Sequence, residues 1–233
     1  MSIFTYHLVK KHLFGTLKSI LFPIKSSNID GLIHAETMVV MELGAPVFSV
    51  SRFFVGSIAI FAQWESQKAL NQFLTTHPKG KSLLKSWYVE LKFVRQWGKI
   101  SGYKIPSYYQ KIDDNQIVVA VTMAKMKHKE IPRFLRWGRP VEKLVRDHSG
   151  ITLASASIRL PNLISTFSIW KSQKQMNDMV YGYSKEPKNQ LHKKAMEENI
   201  RKEFHFEFTT LRFIPINEYG SWNGKSNFIL KEK

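Results

Sequence analysis

The chain contains no cysteine. That excludes disulfides, cysteine nucleophiles and thiolate ligands to any metal or haem iron, so a metal here would take histidine or oxygen donors. Acidic residues are scarce: 18 Asp and Glu face 35 Lys and Arg, a formal charge of +17. Such a balance favours anionic partners. Long apolar runs are also missing. The stretch from Val55 to Ala62 falls far short of the roughly 20 residues that span a bilayer, and Lys10, Lys11 and Lys18 break up the N-terminal apolar segment. The expected location is cytoplasmic, with peripheral association on the inner face of a membrane. No basic helix with zipper heptads, RNP-type aromatic motif or zinc-finger spacing occurs, so no specific nucleic acid is expected. Ser-His-Asp, H-E-x-x-H, Walker and dinucleotide glycine patterns are absent as well.

What is present begins with an internal repeat. Ile58 to Asn71, IAIFAQWESQKALN, matches Ile164 to Asn177, ISTFSIWKSQKQMN, at a constant offset of 106 (170 − 64), with Trp64 over Trp170 and Ser66 over Ser172. Farther on, Gly98 falls over Gly220 and Gly102 over Gly224 at an offset of 122 (220 − 98), so the second copy carries about sixteen more residues.

Hydrophobic periodicity predicts the same order of elements in both copies. In the first, Ile3 to Val9 alternates like a strand, and Lys11 to Phe22 places Leu13, Phe14, Leu17, Ile20 and Leu21 on one helical face. Strands follow over 35–42 and 56–63, then a helix capped by Ser66, a further helical turn after Pro78 and Gly80, and a strand over 88–95. The second copy reads as a strand over 116–124, a helix over 130–147, strands over 151–158 and 163–170, a helix capped by Ser172, another over 189–202, and a last strand over 206–214.

The expected fold is therefore α+β, two tandem ferredoxin-like βαββαβ repeats forming an intrachain α+β barrel. Residues 1–103 form the first repeat, 104–115 the linker, and 116–233 the second. A space between sheets and helices could hold a large flat ligand.

From Thr166 the pattern TFSIW, a capped polar helix, His192, the stretch HKKAMEENIRKEFHFEFTTLRF and the turn GSWNGK at 220–225 resemble the C-terminal region of the spheroidene monooxygenase family. His192, Phe204, Arg212, Phe213, Gly220, Trp222, Gly224 and Lys225 fall on its pattern. A Gly-rich segment of that family is here ELGAPVFSVSRFF, which keeps only Gly44. The resemblance implies a barrel enzyme that binds haem b and uses dioxygen to place an oxo group on a carotenoid or similar lipophilic substrate, with the second repeat carrying the haem site.

On that reading His192 is the first choice for the haem iron ligand and His148 the second, since imidazole is the usual donor when thiolate is unavailable. Each has a bland reading, as a surface histidine in a Lys-rich helix and as a helix C-cap. Arg212, placed at the end of an inward-facing strand, is the candidate catalytic and cofactor-binding cation, pairing with a haem propionate or orienting dioxygen; a surface ion pair with Glu203 or Glu207 is the alternative. Phe204 is assigned to cofactor contact. His205, beside it at the start of a strand, either points inward or, the commoner case, faces solvent. Trp64 and Trp170 read as core.

Partners expected from the sequence are a lipophilic small molecule, an anionic membrane surface, a second copy of the chain and an electron donor of unassigned identity. Two rival functions stand beside the oxygenase: another haem enzyme of the same barrel, a dehydratase or peroxide-dependent, and a non-enzymatic module that binds haem, a lipid or, through its basic surface, RNA.

Overall fold

A computed structural model describes residues 2–45, 53–107, 109–183 and 190–229. The first half runs β1 (Ile3–Lys10), α1 (Leu13–Leu21), β2 (Leu32–Met41), β3 (Phe53–Trp64), α2 (Gln67–Thr76), α3 (Pro78–Leu84) and β4 (Trp87–Lys99). The second runs β5 (Val118–Met126), α4 (Ile131–Asp147), β6 (Ile151–Arg159), β7 (Leu163–Trp170), α5 (Gln173–Tyr181), α6 (Gln190–Arg201) and β8 (His205–Tyr219). Asn189, the expected start of α6, lies outside the described residues.

Pairing is antiparallel throughout and closes a barrel in the order β1-β3-β2-β6-β7-β5-β8-β4. Within it each half keeps the ferredoxin-like order, β4-β1-β3-β2 and β8-β5-β7-β6. A short seam joins β2 to β6 through Val39, Val40 and Met41. A long one joins β4 to β8, from Tyr88 opposite Tyr219 to Lys99 opposite Phe208. Among the described residues the segment between β4 and β5 carries neither helix nor strand. It is pinned where Gln63 bonds both backbone groups of Lys104 and where Gln173 donates to the Ile112 carbonyl.

Strand alternation decides which side chains enter the barrel. Phe4, Tyr6 and Leu8 of β1 point in, as do Val119, Val121 and Met123 of β5 and Leu211 and Phe213 of β8. Phe4 lies 5.8 Å from Phe61 and 5.0 Å from Phe213 between ring centroids, and Tyr6 stacks on Phe167 at 3.9 Å. Trp222 packs on the same cluster from the turn after β8. The interior is thus filled with side chains, and any large ligand must lie outside the sheet, beneath the helices.

Outside the sheet the halves differ. Over the first, α2 inserts Leu70, Phe73 and Leu74, which join Trp64, Ile60 and Tyr88 in a sealed second core. Ser66 and Ser172 cap α2 and α5 as the sequence predicts, accepting from Ala69 N–H and Gln175 N–H. Trp64 and Trp170 are both core residues, each with its indole N–H bonded, to Thr5 and Ser168. Most of the extra length of the second copy appears between α5 and β8, where the 12-residue α6 replaces the seven-residue α3.

Candidate functional site

Register makes the two outer sheet faces comparable position by position. In the first half one row crosses the sheet as Tyr88, His7, Ile60 and Thr37. The equivalent row in the second is Thr210, Thr122, Thr166 and Ala156. Every residue of the first row is at most 3% exposed. The three threonines of the second are half-buried although they lie mid-sheet beneath helices.

Small side chains continue in the neighbouring row, where Ala120 lies beside Ser168 and Ser168 beside Ala154. Each shortened side chain lowers the floor; α5 covers the Ala120 end with Met176, Met179 and Val180, whereas the threonine row stays half-buried. Leu144 is the only fully buried residue of α4, and α6 has none. The result is a crevice over Thr122, Thr166 and Thr210, between the second half's sheet and its helical layer. Thr122 and Thr210 bond across it at 3.2 Å.

His192 belongs to the half-buried face of α6. Its Nδ1 lies 3.0 Å from the Val180 carbonyl at the end of α5. A carbonyl oxygen only accepts, so Nδ1 carries the proton and Nε2 of the neutral ring keeps its lone pair. Burial lowers the pKa of this imidazole and favours the neutral form, opposed by the Val180 bond.

Charges fasten the other end of α6. Arg133 of α4 donates to Glu198 at 2.5 Å and to Glu130 at 2.7 Å, and Lys202 reaches Glu130 at 2.5 Å. Arg201 and Arg133 hold the Glu198 carboxyl down to about 2. The helix that carries His192 is therefore tied at both ends.

Arg212 stands on the outer face of β8, next to Ala120, rather than inside the barrel as its strand position had suggested; its neighbours Leu211 and Phe213 take the inward places. It occupies the position of Glu90 in the first half, since Glu90 opposes Thr5 as Arg212 opposes Ala120. Its side chain is 95% buried by surface area and forms no ion pair among the described residues. Glu207 pairs with Lys125 instead, and Glu203 with Lys127.

Its Nη1 donates to Gln173 Oε1 at 3.1 Å, while Nε has no partner. Directly across the β4–β8 seam stands Arg95, also with a buried, unpartnered Nε. The guanidinium carbons lie 3.9 Å (Arg95) and 5.0 Å (Arg212) from the Trp97 ring centroid. Burial first, then Arg95, bring the Arg212 pKa down to about 10, with the phenols of Tyr181 and Tyr109 acting the other way. Arg212 and His192 are thus bonded to opposite ends of α5, through Gln173 and the Val180 carbonyl. Two neighbouring guanidiniums with no carboxylate between them make a place suited to an anionic group.

The remaining expectations fall elsewhere. Nδ1 of His148 accepts the Gly150 N–H at 2.9 Å, which uses that lone pair and puts the proton of the neutral ring on Nε2; the ring packs 5.1 Å from Trp170. Phe204 is buried with Ala124, Met126 and Phe134 where α4 begins, with Arg133 4.1 Å above its ring. It supports α4 rather than the crevice floor. His205 takes the inward of its two readings: it is buried, and its Nε2 has no partner among the described residues.

The threonine floor was not singled out from sequence. The repeat nevertheless contains the signal, because the offset of 106 puts Ile60 over Thr166 and Ala62 over Ser168. Among the described residues no cluster of three or more His, Asp or Glu could hold a bare metal ion.

No protein-family model matches the chain, and no curated protein matches it. Solved structures do. An aldoxime dehydratase superposes with a TM-score of 0.53 at 10% identity, covering 93% of this chain and 81% of its own. A second, OxdRE in complex with butyraldoxime, gives 0.52 at 9% identity, covering 93% and 79%. The heme-degrading enzyme LmHde of Listeria monocytogenes is matched over 91% of this chain and 99% of its own at 15% identity, but its TM-score of 0.28 carries no weight. Likeness at such identities speaks of architecture alone: the chain has the ferredoxin-like α+β barrel fold, both halves of the barrel supplied by one polypeptide.

Proposed function

We propose that this chain is a haem-dependent monooxygenase that introduces an oxo group into a carotenoid or similar lipophilic substrate, with haem b held in the crevice of the second half. The observation that carries the reading is His192, neutral, fixed through Nδ1 to a backbone carbonyl and keeping the Nε2 lone pair, which is the donor arrangement of a histidine that ligates a metal. The crevice floor supports it, being cleared of bulk where the first half is packed. So do the buried Arg212 and the half-buried Arg95, neighbouring cations without an ion pair among the described residues, which suit the propionates of a porphyrin. The residues present therefore fit the group.

In this assignment His192 would hold the haem iron through Nε2, and its Val180 bond would set ring orientation and donor strength. Dioxygen activation is the chemistry that haem supplies when bound. Arg212 fixes an anionic edge and orients it through Gln173, and Thr122, Thr166 and Thr210 allow close approach to the sheet. His148 ranks below His192 because its Nδ1 lone pair is used by Gly150. The carotenoid substrate rests on the resemblance of the 166–225 region to spheroidene monooxygenase.

Absorption spectra of the purified protein titrated with haem, oxidised and dithionite-reduced, test this directly. A Soret band saturating at one equivalent and altered in His192→Ala is expected. Absence of binding, or an unchanged spectrum in the variant, refutes the site. Turnover of an oxime without dioxygen or reductant would assign a redox-neutral haem reaction in place of the oxygenase.

A further inference from the structure

We infer that α1 and α3 form a docking face for the surface of an anionic lipid bilayer. The apolar side of α1 that the sequence predicts is not packed inward. Phe14 is 82% exposed, Phe22 65%, Leu21 63%, Leu13 59% and Leu17 54%, and the only fully buried residue of this helix is Thr16. Soluble domains seldom leave so many large apolar side chains together in water, so the stripe calls for a partner.

Charge says which partner. Residues 11–29 and 66–89, which contain α1, α2 and α3, include seven lysines and not one Asp or Glu. Among the described residues none of those lysines is in an ion pair. The helices of the second half differ, since Glu130 and Glu198 neutralise Arg133, Arg201 and Lys202 there.

Two bonds set α1 beside α3: Lys11 Nζ to Ser82 Oγ at 3.3 Å, and Lys79 Nζ to the Phe22 carbonyl at 2.8 Å. Leu84 of α3, 42% exposed, adds to the apolar surface, and Lys18, Lys81 and Lys85 are exposed around it. An apolar stripe bordered by unpaired lysines is what an interfacial helix presents to acyl chains and anionic headgroups. A second copy of this chain would bring the same acid-free lysines against one another and is disfavoured by repulsion. This inference does not depend on the haem reading.

The test is co-sedimentation of the full chain with vesicles of phosphatidylcholine alone or mixed with phosphatidylglycerol. Binding is expected to the mixed vesicles only. The triple variant K18A/K81A/K85A should bind them at least about tenfold more weakly, given about fivefold per lysine near such a surface. The variant F14S/L17S should lose most of its binding. The triple variant K129A/K193A/K194A, of equal net charge but altered in the second half, should bind like the parent. Circular dichroism confirms folding of each. Equal loss in the two lysine variants, unimpaired binding by F14S/L17S, or equal binding to neutral vesicles overturns the inference. So does a dimer in sedimentation velocity that F14S/L17S abolishes, which would give the face to a second copy.

Discussion

Replacing Arg212 by methionine should make the ligand-free protein more stable. The guanidinium is buried, and its pKa lies near 10 against an ordinary 12.5. At about 1.36 kcal/mol per unit, that depression corresponds to a cost of about 3 kcal/mol for keeping the charge in the fold. Both folded and unfolded states are protonated at pH 7, so the cost is fully present there and is relieved only as pH rises from about 10 toward 12.5. Methionine keeps much of the volume and removes the charge. It also leaves Gln173 Oε1 without its donor, a loss of about 1 kcal/mol. The net gain should be about 1–2 kcal/mol, a rise in Tm of about 2–8 °C for a chain of this size. Urea and thermal unfolding of haem-free protein measure it, and a haem titration of the same variant should show affinity weakened about tenfold or more. A variant less stable than the parent by 1 kcal/mol or more would refute the reasoning, because it would mean that the protein itself compensates the charge.

Filling the crevice is the complementary perturbation. Thr166→Ile, which restores the residue found at Ile60, should leave the unfolding midpoint within about 1 kcal/mol of the parent and abolish the Soret band in a haem titration. Acid should destabilise the fold through His7, which is 1% exposed and pushed by burial down to about 3. As pH falls below 6.5 the unfolded state takes up a proton that the folded state refuses. Urea unfolding at pH 4.5 should therefore show about 2.5 kcal/mol less stability than at pH 7 from this residue, a difference that His7→Phe should remove. Ser66→Ala and Ser172→Ala should each lower stability by about 1 kcal/mol in the same assay, since each leaves a helix N–H without its side-chain acceptor.

Much of the fold was legible from local chemistry. Alternation at Ile3 to Val9 and the apolar run from Gln116 to Ala124 mark strands, the second of which the structure places two residues later, and Ser66 and Ser172 announce their helices because a short hydroxyl side chain competes for the free N–H groups of a first turn. The repeat, carried by Trp64 and Trp170, implies two like sheets that must cover one another. Arg212 was a different matter. Its alternation with Leu211 and Phe213 separates it from them, but which side of the sheet is the barrel interior depends on closure by β2–β6 and β4–β8, pairs whose members lie more than 100 residues apart in the chain.

The sequence by itself thus determined the element order, the doubled α+β architecture, the exclusion of thiolate chemistry and the basic charge. Those properties follow from composition and from interactions within a few residues. Tertiary structure alone decided that the barrel interior is full, that Thr122, Thr166 and Thr210 meet as the floor of a crevice, that His192 is set by the Val180 carbonyl, and that Arg212 and Arg95 share Trp97 without a counter-charge. It also decided that the apolar side of α1 faces outward. Each of these is a juxtaposition of distant segments, fixed by strand register and by the volume that the helices leave unfilled, and neither quantity is a property of any short stretch of chain.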